Sequence, residues 1–199
     1  MSVMIDDKPL AAEEMGLHTI GQLLQHVQRS NRLVVHVLID GREPDLQKLG
    51  ELRTAPLTGH TLYIETAEPV RMANEVLEEI DQHLAETDRL RTDTVTLLRA
   101  NSVVKALEKL RGCFSAWQNA QESVLKVAQL LRMDLGRIVV DGRPFTHVMN
   151  EFAEQLRLIK SSLENRDFGA LVDTLVYETA ETTDNWRAAI RSMRSVIGQ

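Results

Sequence analysis

Two histidine–carboxylate pairs are the residues of this sequence best spaced to hold a metal ion. Glu79 with His83, and His147 with Glu151, each lie one helical turn apart. Inward-facing residues of these types bind metal ions in some helical bundles. At about 100° per residue, however, these side chains fall away from the apolar stripes of their helices. We therefore expect solvated helix faces, with no metal and no cofactor.

Nucleophilic chemistry has even less support. Cys113 and Ser115 lie inside a helical pattern without a nearby base, and no G-x-S-x-G frame or glycine-rich phosphate loop occurs. The single cysteine excludes an internal disulfide and flanks an apolar stripe, which is typical of a small buried side chain. We predict no catalytic residues.

Two turns repeat the sequence Asp-Gly-Arg directly after an apolar segment, at 40–42 and 141–143. Such turns can present a carboxylate and a guanidinium to a partner. Asp-Gly is also a preferred pair for tight turns with positive φ. We favour the purely structural interpretation.

A basic row, Arg187, Arg191 and Arg194, occupies one side of the last predicted helix. It could dock an acidic partner or an anionic membrane surface. Cations near the end of a helix more commonly complement its dipole and its free carbonyl groups, and we expect that role here.

Polar residues interrupt two otherwise apolar helix stripes. They either form a hydrogen-bonded layer that sets the register of the helices or leave a groove for the helix of another chain. We favour the register layer. If the groove exists, Trp186 is its natural anchor. The candidate partner-binding residues are Arg91, Thr94, Thr179, Thr183, Trp186 and Arg187.

The bulk composition excludes several classes of protein. The 199 residues are 43% apolar, 26% charged and 4% aromatic, with a net charge of -6. An acidic chain has no basic surface for phosphate backbones, so we expect no nucleic-acid partner. The longest apolar strand pattern is too short to span a membrane, and the acidic N-terminus lacks the pattern of a secretory signal. We therefore expect a cytoplasmic protein.

Residues 1–68 predict a small α+β unit. Thr19 and Gln22 form the pattern of a capping box at a helix start. In chain order the patterns predict a strand at 3–5, a helix from Thr19, a central strand at 33–39 covered on both faces, a short helix at 46–52 and a strand at 61–66. This order resembles a ubiquitin-like, or β-grasp, sheet that lacks one strand.

Residues 70–199 predict a mainly antiparallel four-helix bundle. Its most regular stripe lies between Ser102 and Arg132, where apolar residues recur every three or four positions. The stripe comprises Val103, Leu107, Leu110, Phe114, Trp117, Val124, Ala128 and Leu131.

The segment before this stripe forms either a helical hairpin with it or one helix of about 60 residues. We favour the hairpin, with Ser102 as the cap of its second helix, because the two halves have opposite charge. Residues 70–100 contain 4 basic and 7 acidic side chains, whereas residues 101–132 contain 5 and 2.

By elimination, these patterns favour a non-enzymatic module for protein–protein interaction, an adaptor or a chaperone-like binder of a partner's amphipathic helix. Structural self-assembly into a homo-oligomer is the first alternative. An enzyme or a metal-binding helical bundle is the second.

Overall fold

The chain is a mixed α+β protein in which helix predominates. The computed structural model describes residues 2–198, with the side chains of Leu46 and Leu49 excepted. Two compact units divide the chain between Met72 and Ala73. Among the described residues, no helix is long and apolar enough to cross a membrane.

The first unit contains a four-stranded mixed sheet. The strands are β1 (Ser2–Ile5), β2 (Lys8–Pro9), β3 (Leu33–Ile39) and β4 (Thr61–Ala67). Their order across the sheet is β2-β1-β4-β3. β1 pairs with β4 in parallel, whereas the β1–β2 and β3–β4 pairs are antiparallel.

Helix α1 (Ile20–Arg29) packs its apolar face on this sheet. Its first turn has the predicted capping box. The backbone N–H of Gln22 donates to Thr19 Oγ1, and the backbone N–H of Thr19 donates to Gln22 Oε1. Leu23 and Leu62 are fully buried in the resulting core. A single turn of 3₁₀ helix (Leu46–Lys48) leads into α2 (Leu49–Thr54).

The prediction that β3 is a central strand is wrong. β4 occupies the centre because it pairs with β1 on one side and β3 on the other, which leaves β3 at an edge. A bulge between Val34 and His36 bends this edge strand. The apolar run that suggested burial on both faces is instead partly exposed along its length.

The second unit gathers long helices around one core. They are α3 (Pro69–Arg99), which begins in the first unit, α4 (Val103–Leu131), α5 (Phe145–Glu164), α6 (Phe168–Asp173) and α7 (Thr179–Ile197). A π-helical turn, Thr174–Glu178, joins α6 to α7. Asp167 caps α6, since its Oδ1 accepts the Ala170 N–H at 2.9 Å.

The hairpin of α3 and α4 is confirmed. Cys113 on α4 lies against the Thr87 carbonyl of α3, and Lys109 pairs with Asp93 at 3.5 Å, so the helices run antiparallel. Asn101, at φ 55°, makes the turn. The predicted cap is wrong: the Ser102 hydroxyl accepts no N–H, and the Ser102 backbone N–H instead closes the turn on the Leu97 carbonyl.

The buried face of α4 is rotated from the predicted stripe. Leu110, Trp117 and Val124 are buried as expected, but Leu107 is 40% exposed. Three small residues outside the expected row are part of the buried face. They are Ala106, Cys113 and Ala120. Small side chains allow two helices to approach closely. Gly112 also lies close to α3, since a Cβ atom added there would be only 3.1 Å from Leu90 Cδ1.

The crossover between α4 and α5 is a two-stranded hairpin, β5 (Val139–Val140) with β6 (Arg143–Pro144). Asp141 and Gly142 have φ of 48° and 77°, so this Asp-Gly pair forms the turn that its composition predicts.

Candidate functional site

The six residues of the predicted binding site all lie in the helical unit and are largely covered. Thr94, Thr179, Thr183 and Trp186 are buried, and the Arg91 and Arg187 side chains keep only 15% and 26% of their surface exposed. In the described residues there is no open groove at this layer. A partner helix could reach these side chains only if the helices of the unit separated.

The threonine hydroxyls bond within their own helices. Each donates to the carbonyl four residues earlier, at 2.7 Å for Thr94, 2.9 Å for Thr179 and 2.8 Å for Thr183. Back-bonding of this kind satisfies a buried hydroxyl without a partner on another helix. The threonines alone therefore do not set the helix register.

Arg91 makes the polar contact that joins α3 to the π-helical turn. Its Nη1 donates to the Leu175 carbonyl at 2.7 Å, and the same oxygen accepts from Thr179 Oγ1. A π turn interrupts the usual i→i−4 bonding of an α-helix. The guanidinium is held from the other side by Asp88 at 3.3 Å.

The predicted basic row pairs with α3. Arg187 Nε lies 2.9 Å from Asp81 Oδ1, and Arg194 Nη2 lies 3.1 Å from Glu78 Oε2. The Asp81 carboxylate raises the pKa of the Arg187 guanidinium through a hydrogen bond, against the effect of burial. Arg187 and Arg194 are therefore cross-helix contacts rather than complements of a helix end.

Trp186 packs as a core residue. It makes edge contacts with Phe145 and Phe152, with ring centroids 5.0 and 5.8 Å apart. The void beside it has a volume of about 10 Å³ and is lined by Thr183 and Trp117 among others. This space is far too small for a side chain of another protein.

The candidate metal ligands and the cysteine considered from the sequence have the following surroundings in the described structure. Between residues 2 and 198 no group of three or more His, Cys, Asp or Glu side chains is arranged to hold a metal ion. Glu151 is shared between Arg143 at 2.7 Å and His147 at 3.3 Å. Burial raises the pKa of the Cys113 thiol to about 12.

A groove in the first unit has room for a ligand and a mostly apolar lining. It has a volume of about 580 Å³ and lies between α1, the edge strand β3 and the end of α2. Leu24, Val35, Val37 and Leu52 contribute its apolar lining. We refer to it as the β3 groove.

The turn after β3 leaves part of this edge unpaired. Asp40 N donates inward to the Thr61 carbonyl of β4. The backbone N–H and C=O of Ile39 therefore point away from β4. Arg42 pairs with them through two backbone hydrogen bonds of 2.9 and 3.0 Å. Two residues further along, Pro44 has no N–H with which to continue the ladder.

The alternation of an antiparallel ladder places the backbone groups of Val37 on the same outer edge as those of Ile39. No strand of the described chain covers that edge beyond Ile39. The β3 groove lies alongside this uncovered stretch, since Val34, Val35, His36 and Val37 all line it.

The opposite wall of the groove depends on a close contact between helices. A side chain at Gly21 of α1 would lie 2.6 Å from the Arg53 carbonyl, so glycine lets α2 approach α1 closely. Arg53 is exposed and is one of the residues that line the groove. On the rim, His36 Nε2 lies 3.2 Å from Glu43 Oε1.

Sequence reasoning missed the β3 groove because it treated β3 as covered on both faces. Two signals pointed to it. The polar His36 interrupts the apolar run, and Pro44 follows the Asp-Gly-Arg turn at the position where a returning strand would pair.

Searches of family models, curated proteins and solved structures found no significant match to the chain.

Proposed function

We propose that the chain is a non-enzymatic, cytoplasmic module for protein–protein interaction, and that the β3 groove is its binding site. The helical unit serves as a packed scaffold. This proposal keeps the interaction role expected from the sequence and moves the contact from the helical unit to the first unit.

The observation that carries the proposal is the apolar groove beside an uncovered strand edge. Ligand sites are commonly concave and mostly apolar, with volumes of roughly 300–1,000 Å³, and the groove of about 580 Å³ falls in that range. Proteins usually cover, charge or shorten the edge strands of their sheets, because an open edge pairs with other chains. Here Val35, in the middle of that edge, is 43% exposed.

Two finer features of the fold belong to the same proposal. The β2-β1-β4-β3 order with a parallel central pair supports a ubiquitin-like, β-grasp sheet lacking one strand. The antiparallel contacts of α3 with α4 and of α3 with α7 support a four-helix bundle.

Site-specific photocrosslinking of the full chain in its own cells tests the function. A benzophenone amino acid at Val35 should capture a partner protein, whereas one at Val196, which is 54% exposed on α7, should not. The captured protein, once purified, should bind the parent chain and the Val196→Asp variant equally and should lose affinity for Val35→Asp.

Equal capture at both positions, or unchanged affinity of Val35→Asp, contradicts the proposal. Capture of a second copy of the chain, with a concentration-dependent mass in light scattering, would instead establish self-assembly.

A further inference from the structure

We infer that the β3 groove binds an extended peptide segment of the partner, which adds a strand to the β3 edge and carries an acidic residue next to its aliphatic side chains. This inference rests on the proposed function and specifies the chemistry of the partner. It replaces the partner helix expected from the sequence.

The unpaired backbone groups of β3 favour a strand over a helix as the bound segment. A helix satisfies its own backbone groups, whereas the outward N–H and C=O of Val37 need the edge of another strand. The stretch of β3 between its first residue, Leu33, and the covered residue Ile39 accommodates about five residues of an added strand, or roughly 17 Å. Pro44 keeps the chain's own following segment from filling that place.

The residues that line the groove indicate the composition of the bound segment. Alternate residues of an added strand face the same side, and on that side they meet Leu24 and Val37, which pack on the core of the first unit. Aliphatic side chains at every second position fill such a surface. Gln25 and Gln28 of α1 also line the groove and can hydrogen-bond polar groups of the segment.

The charged residues along the groove indicate an acidic residue in the bound segment. Glu43 on the rim is already held by His36. Arg53, in contrast, is an exposed residue that lines the groove, and its guanidinium makes no ion pair with any described residue. A carboxylate on the bound segment would complement this charge.

Fluorescence polarisation with defined peptides tests the inference on the full chain. The probe is a labelled peptide in which valine or isoleucine occupies every second position and polar residues lie between them, with two aspartates either before or after this stretch. One order should bind saturably. The same peptide with N-methylated alternate amides should bind at least about 10-fold more weakly, because it cannot pair along the edge.

Arg53→Glu should weaken binding of the aspartate peptide by about 10-fold or more, and should bind a lysine-substituted peptide better than the parent chain does. Lys48→Glu is the matched control, because this exposed residue of the same segment does not line the groove. It should change the affinity by less than about 2-fold. The amide NMR signals of Val35 and Val37 should shift on binding.

The inference fails if no peptide binds, if the N-methylated peptide binds as well as its parent, or if both charge variants behave alike. Failure here while Val35 still captures a partner would leave the proposed function standing with a different kind of ligand. Failure of both experiments removes the β3 groove as a binding site. If the probe only dissociates a dimer of this chain, the natural occupant is a second copy and the inference is wrong.

Discussion

At the scale of single residues, burial decides the chemistry available to the titratable groups. Cys113 and Asp6 illustrate opposite cases. The thiol lies in the helical core, where desolvation outweighs the favourable charge of Arg91. The carboxylate lies near the surface of the first unit, where three hydrogen-bond donors favour its ionised form.

The Cys113 thiol should be unreactive in the folded chain. A pKa of about 12, instead of the usual 9.0, leaves about 1,000-fold less thiolate at pH 7–8, and burial blocks access as well. We expect the native chain to react with an aromatic disulfide reagent at least 100-fold more slowly than the chain in denaturant. Rapid labelling under native conditions would show that the helical core opens readily.

Asp6→Asn should destabilise the first unit in a pH-dependent manner. The Thr66 hydroxyl, followed by the Thr66 N–H and Arg32, lowers the pKa of Asp6 in the folded state. The Asp6 carboxylate therefore stabilises the fold fully above the pKa that it has in the unfolded chain. This stabilisation is lost as the pH falls through its pKa in the folded chain, which lies below 3.8.

Since a third of the Asp6 side chain is exposed, we expect a loss of only about 1 kcal/mol in the free energy of unfolding at pH 7. Chemical denaturation at pH 7 and at pH 3 measures it. The difference between the parent and the variant should be smaller at pH 3 than at pH 7, and the exposed control Glu13→Gln should show no such change. A constant difference would indicate that the carboxylate charge is not the cause.

At the scale of elements, local sequence signals specify where helices and turns begin and end, and neighbouring elements decide which faces are covered. The capping box at Thr19 and the Asp-Gly turns are local features, and their predictions are confirmed. The rotated face of α4 and the π turn before α7 depend on adjacent helices.

Arg91→Met should test how α3 holds the π turn. The substitution keeps an apolar stem but removes the donor to the Leu175 carbonyl. A buried acceptor that loses its partner costs about 1–3 kcal/mol. The Leu175 carbonyl still accepts from Thr179, so we expect a loss near the lower end of that range in chemical denaturation.

Arg89→Met, at an exposed position of the same helix, is the matched control and should change the free energy of unfolding by less than about 0.5 kcal/mol. Equal effects of the two substitutions would mean that the Arg91 contact adds nothing to stability.

At the scale of the whole molecule, the chain has two buried apolar clusters that share no residue. One contains Leu62 and belongs to the sheet and α1, whereas the other contains Trp186 and belongs to the long helices. Each cluster is assembled within its own compact unit.

Trp186→Ala should therefore act as a core substitution in the second unit. We expect a loss of about 3–5 kcal/mol in its free energy of unfolding. Hydrogen exchange should accelerate from residue 73 onward and remain unchanged in the sheet. Leu62→Ala should show the reverse pattern, with a loss of about 2–5 kcal/mol.

Tyr177→Ala, at a side chain that is 70% exposed, is the surface control and should change little. A Trp186→Ala variant that kept its stability and lost a partner would favour the alternative of a binding groove in the helical unit.

The sequence alone determined the features that depend on neighbours along the chain. The 3.6-residue apolar period located the four long helical segments, and opposite charges in residues 70–100 and 101–132 indicated the hairpin. Caps and tight turns were predictable because their hydrogen bonds join residues a few positions apart. The Ser102 cap failed for a local reason, since the Ser102 backbone N–H closes the turn instead.

The tertiary structure alone decided the features that depend on residues far apart. Parallel pairing of β1 with β4 joins segments about 60 residues apart and moves β3 to the edge. The approach of α2 to Gly21 then forms the groove beside that edge. The threonines at the stripe positions of the helices could equally have faced a partner, and packing of α3, α5 and α7 around Trp186 buried them instead. Pattern alone cannot distinguish these outcomes, because the same polar side chain is stable either in water or bonded to its own helix.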